Sequence, residues 1–151
     1  MPNTILKSRP HFVLAFCIVC LFLVLAIGSS LTNRPQVDEG MFASPAYNLA
    51  TRGHFGTTVL ETQGTSLTRI DQRTYWVMPL FLLNVSASFK AFGMSLLTMR
   101  LVSVFWGIVL LFAWYFIVLK LSGNRNIALL CSFLLAANYT ILDTASSDEW
   151  I

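Results

Sequence analysis

Three long apolar runs, separated by one long and one short polar stretch, set the pattern of this chain. Phe12 to Leu31 is 20 residues without a charge. At 1.5 Å per residue a helix of that length reaches about 30 Å, the thickness of a bilayer's hydrocarbon core. Leu101 to Leu119 is a second uncharged run of 19 residues, bounded by Arg100 and Lys120. Ile127 to Leu142 is a third, and Asn126 to Ser147 holds a single charge, Asp143. Thr32 to Tyr75 is polar and rich in Gly and Thr, and LSGNRN over 121–126 reads as a tight turn.

Two shorter elements lie between the first and second runs. The first is a helix at about 39–52. Asp38 serves as its N-cap, the carboxylate accepting orphan backbone N–H groups. Gly53 stands where a left-handed C-terminal cap belongs. Met41, Phe42, Ala46, Leu49 and Ala50 form one apolar side. An amphipathic helix directly after a span is expected to lie in the interface, apolar side down. That pins the adjacent acids Asp38 and Glu39 at the membrane surface.

The second element, 79–92, is apolar but interrupted by Asn84, Ser86, Ser88 and Lys90, which fall on two sides. Fourteen helical residues cover about 21 Å, too short for a span. The number of crossings decides its place. If it spans, Lys120 and Arg125 end up outside. If it lies on or dips into the membrane, they flank a short cytoplasmic loop, as the positive-inside rule favours. A second interfacial or re-entrant helix is therefore expected.

The expected fold is all-α and integral to the membrane, with three transmembrane helices and two interfacial juxtamembrane helices in the first outer loop. Residues 1–11 are cytoplasmic, because Lys7 and Arg9 precede the first run. Spans follow at 12–31, 100–120 and 127–147, with an outer loop at 32–99, a cytoplasmic turn at 121–126 and an outer end at 148–151. The first run exceeds a signal peptide's apolar core of about 7–15 residues, so an uncleaved span is expected. All seven acidic residues then lie outside.

Composition agrees. The chain is 56% hydrophobic and 11% charged, against about 25% charged for a soluble domain. A net charge of +3 without a basic cluster gives no reason to expect nucleic acid as a partner. Cys17-x-x-Cys20 lies in a span with no second ligand pair, so its cysteines read as small apolar residues. His54 reads as a solvated loop residue. Without an internal repeat, a transporter built on inverted repeats is disfavoured.

Four acids and one Arg converge on the outer surface: Asp38 and Glu39 after the first span, Arg100 heading the second, Asp148 and Glu149 ending the third. Charges at membrane depth are expensive and usually face a cavity. An Arg there can grip a phosphate in a bidentate way. A carboxylate beside it can act as general base on a hydroxyl. The combination suits attack by an acceptor on a sugar carried by a lipid phosphate. The plainer alternatives are a helix cap for Asp38, a snorkelling anchor for Arg100 and solvated residues for Asp148 and Glu149.

The order of these pieces resembles the N-terminal part of the GT-C membrane glycosyltransferases that use polyprenyl-phosphate sugars, above all the protein mannosyltransferase and lipid A aminoarabinose transferase group. The resemblance rests on VDEGMFASPAYNLATRGHFG, MPLFLLNVSASFKAFG, SLLTMRLVSVFWGIVLLFAWYFIVLKLSGNRNIALL and TILDTASSDEWI. It implies that Asp38 is the catalytic base with Glu39 as its partner, and that Arg100 lies near the lipid phosphate. It implies a later acid, assigned to Asp148 with Asp143 and Glu149 as rivals. The implied partners are a lipid-phosphate-linked sugar donor and a lipid, glycan or protein acceptor, in the cell membrane with the acid-rich loop outside. No metal ligands are assigned, and the cofactor is left open, a divalent metal among the options.

Two departures from the family are visible. Trp76-Val77-Met78-Pro79 stands where many aminoarabinose-transferase-like members carry Glu-Lys-Pro-Pro, which points to a different acceptor class. Family members also continue through many more spans, so a fragment of a longer enzyme is expected. The alternative expectation is a small non-catalytic membrane protein, or a lipid-carrier-binding partner subunit.

Overall fold

A computed structural model describes residues 9–35, 37–57, 59, 69–73 and 78–138. Among them there are five helices and no strand: α1 (Arg9–Thr32), α2 (Val37–Arg52), α3 (Pro79–Phe92), α4 (Leu96–Ser122) and α5 (Arg125–Ala136). They divide into two compact units.

The first unit contains α1, α4 from Ser103 onward, and α5. Its core joins Ile18, Phe22 and Ala26 of α1 to Val104 and Leu111 of α4 and to Leu129 and Ala136 of α5. With 24 and 27 residues, α1 and α4 measure about 36 and 40 Å. Both are long and apolar enough to cross a membrane. Most of their apolar surface is not used inside the protein: Phe12 is 74% exposed, Val24 70% and Phe116 61%. A helix in the core of a soluble protein would bury such residues, so this outward apolar surface points to a membrane protein.

The helix expected over 127–147 is shorter. α5 starts at Arg125 behind the N-cap Asn124, whose side chain accepts from the Asn126 N–H, and closes at Ala136. Its 12 residues cover about 18 Å. Residues 139–151 lie outside the described part of the chain.

The second unit holds α2, α3, the loop after α2, and the start of α4. α3 occupies the expected positions, opened by Pro79 and closed by Gly93, whose φ of 86° suits glycine. Its pattern is more regular than the sequence suggested. Leu82, Val85, Ser86 and Phe89 are its buried residues, a stripe at helical spacing that accepts one small hydroxyl. The stripe packs with Ala46 of α2 and with Met99 and Val102 of α4. Ser95 begins α4 by accepting the Thr98 N–H at 3.0 Å, a side-chain cap.

α2 departs from expectation in two ways. It begins at Val37, so Asp38 and Glu39 stand in the first turn rather than Asp38 at the cap. There they still face the positive end of the helix dipole. The apolar side expected to face the bilayer packs against α3 instead, with Phe42 edge-on to Phe81 at 6.5 Å. Phe42, Ala46 and Ala50 carry that contact, while Met41 and Leu49 are only half-buried. Pro45 sits inside the helix, where it has no N–H to offer Met41's carbonyl. Gly53 ends the helix with φ 72°, the left-handed conformation a C-terminal glycine supplies.

Candidate functional site

The site lies in the second unit, at the entry to α2. The first turn of α2 presents Asp38 and Glu39 side by side. Glu39 is 3% exposed and Arg100 1%. Arg100 Nε donates to Glu39 Oε1 at 2.7 Å and Nη2 donates to Oε2 at 3.1 Å. This is the two-pronged pairing that a guanidinium and a carboxylate make best. Nη1 also donates to the Asn33 carbonyl at 3.1 Å, and Nη2 to that of Arg34 at 3.3 Å. One side chain from the second turn of α4 thus fixes both the entry to α2 and its first turn.

A buried ion pair of this kind recovers its desolvation cost only when the remaining donors are satisfied as well. The two backbone carbonyls meet that condition. The arrangement also changes what Arg100 has to offer: the guanidinium expected near a lipid phosphate is already engaged by Glu39.

Asp38 differs from its neighbour. It is half-buried, and its carboxylate makes no side-chain hydrogen bond or ion pair among the described residues. It is held in place by the helix that Glu39 anchors, with its own oxygens uncommitted. The structure therefore brings Glu39 and Arg100 together and sets Asp38 next to them. Asp148, and with it Asp143 and Glu149, lies outside the described residues. No group of three or more His, Cys, Asp or Glu that could hold a metal occurs among the described residues. Cys17, Cys20 and Cys131 are free thiols, and His54 is half-buried.

The loop after α2 is tied down by groups whose role no motif in the sequence marks. Asn48 Nδ2 donates to the Gly56 carbonyl at 2.8 Å, and the Thr57 hydroxyl donates to Ser44 Oγ at 2.8 Å. The Thr57 N–H donates to the Ile70 carbonyl at 2.9 Å. Ser44 and Asn48 are one helical turn apart on α2, a polar pair that signals a second contact face. Gly56 is required by close approach: a Cβ there would run into the Asp71 carbonyl.

The chain matches no protein-family model, no curated protein and no solved structure.

Proposed function

We propose that this chain forms the acidic, membrane-surface end of a glycosyltransferase that moves a sugar from a polyprenyl-phosphate donor to an acceptor on the outer side of the membrane. The observation that carries the reading is the division of labour in the acid pair. Glu39 is locked to Arg100, while Asp38, one residue earlier, keeps an uncommitted carboxylate at the start of the helix that this ion pair ties down. A general base needs that combination of fixed position and uncommitted oxygens. In this reading Asp38 removes the proton from the acceptor hydroxyl as it attacks the sugar's anomeric carbon, and the lipid phosphate departs with the bond electrons. Glu39 and Arg100 position Asp38. Asp148 is the later acid that approaches the donor.

The topology belongs to the same proposal: N-terminus inside, three spans and two juxtamembrane helices, of which α2 and α3 are the short outer ones. The lengths of α1 and α4 and the shortness of α3 support it. A reporter fused after Ile151 is expected on the outer side; a cytoplasmic reporter would separate Asp148 from Asp38 and dismantle the site.

The enzymatic test is Asp38→Asn in membranes supplied with a polyprenyl-phosphate sugar. Loss of a general base lowers the rate by about 10²–10⁴-fold, with insertion and abundance unchanged. Full activity in the variant would remove Asp38 from the chemistry. The engagement of Arg100 favours one other reading, a non-catalytic membrane subunit, because a guanidinium already bound to Glu39 grips no phosphate. That reading predicts no transfer by the wild-type chain and stable association with a larger membrane protein.

A further inference from the structure

The first unit contains a cleft of about 630 Å³ between α1, α4 and α5, within the roughly 300–1,000 Å³ range of small-molecule sites. Its two ends differ. Ile18, Val19, Leu111 and Leu129 line the apolar part, and His11 and Arg125 stand at the other end, with no acidic side chain among the described residues of the lining. His11 Nε2 lies 3.1 Å from Asn126 Oδ1. An amide oxygen only accepts, so Nε2 is the donor. His11 Nδ1 is then left buried without a hydrogen-bond partner among the described residues, a cost unless something meets it. The N-terminus of α5 adds its positive dipole end beside Arg125. The rim residues Phe12 and Phe116 are 74% and 61% exposed, so the cleft opens sideways to whatever surrounds these helices.

We propose that this cleft holds one acyl chain of an anionic phospholipid, with the lipid phosphate at Arg125 and a head-group hydroxyl donating to His11 Nδ1, the acceptor left by the Nε2–H tautomer. The surroundings of helices long and apolar enough to cross a membrane are lipid, and the bilayer offers such a molecule at high concentration. A slot that is apolar along its length and cationic at one end matches an amphiphile with an anionic head. A neighbouring apolar helix would fill the slot but leave Arg125 and the unpartnered imidazole nitrogen unmatched. None of the residues assigned to glycosyl transfer lines this cleft.

The experiment uses the full chain reconstituted in phosphatidylcholine vesicles containing a trace of phosphatidylglycerol with a photoactivatable diazirine in its acyl chain. After irradiation, mass spectrometry locates the label. The expected label concentrates on peptides containing Ile18, Leu111 and Leu129. A phosphatidylcholine probe with the same chain labels these peptides weakly. Arg125→Gln lowers phosphatidylglycerol labelling there by about fivefold, the effect of one basic residue at a lipid surface. Ala15→Phe, which fills the slot and leaves the cationic end intact, lowers it as well. Label spread evenly over the exposed sides of α1 and α4 in the wild-type chain would overturn the proposal without any variant having to fold. So would equal labelling by both probes, or a cross-linked dimer with an unlabelled cleft, which would mean that a second copy fills it.

Discussion

Phe22, Val104 and Leu129 meet in the first unit as apolar side chains among apolar neighbours, whereas the second unit closes over Glu39 and Arg100. The hydroxyls show the same contrast. In the first unit Ser132 donates to Ala128 O at 2.9 Å and Ser122 to Val118 O at 2.7 Å, each within its own helix. In the second, Thr57 reaches back to Ser44, Asn48 to Gly56, and Arg100 to three residues of another segment. A hydroxyl bonded one turn back in its own helix is satisfied wherever that helix goes. A tie between distant segments exists only when the fold brings them together; His11 to Asn126 is one in the first unit and is exposed, whereas Glu39 to Arg100 and Asn48 to Gly56 are buried in the second.

Breaking the central tie of the second unit gives the largest effect. Arg100→Ala leaves Glu39 buried and unpaired, and frees the Asn33 and Arg34 carbonyls. The expected loss is about 3–5 kcal/mol, read by thermal unfolding in detergent. Replacing both partners, Glu39→Leu with Arg100→Leu, is expected to cost much less than Arg100→Ala alone, since apolar pairs often replace buried ion pairs without penalty. A double variant no better than the single would show that the carbonyl contacts, and not the ion pair, hold α2.

The next effect is smaller and local. Gly56→Ala forces the Gly56 and Asp71 backbones apart at a cost of about 1–3 kcal/mol, typical of overpacking. It should appear as faster proteolysis in the loop at residues 53–57 and 69–73, with the helices of the first unit still protected. Equal protection of that loop in variant and wild type would mean that the close approach at Gly56 is unimportant. At the bottom of the scale, Ser132→Ala in the first unit removes a bond that its own helix satisfies. Its stability should shift by less than about 0.5 kcal/mol, measured in the same detergent. A loss several times larger would place Ser132 among the ties between segments and erase the contrast.

Much of the secondary structure was legible in the residues. The apolar runs at 12–31 and 101–119 became α1 and α4, and Pro79 and Gly93 bound α3 where the sequence placed it. Gly53 has the left-handed φ that its position after Arg52 required. The third run was less transparent. Its apolar residues extend to Leu142, yet α5 closes at Ala136. Asp38 suits a cap by sequence and stands inside the first turn, because an acid favours either position for the same electrostatic reason. The apolar side of α2 was visible in Phe42, Ala46 and Ala50. Whether it would meet lipid or another helix was not, because lipid and a packed helix are both apolar partners.

What the sequence determined by itself is the set of helices and the outward apolar character of the two long ones. Helix hydrogen bonds run four residues along the chain, and the apolar period is equally local. Only the tertiary structure decided which charges meet. Arg100 and Glu39 are 61 residues apart in sequence, and neither propensity nor spacing links them. Their pairing follows from α3 packing against α2 and against the start of α4. That packing leaves the adjacent Asp38 as the carboxylate with its oxygens unclaimed.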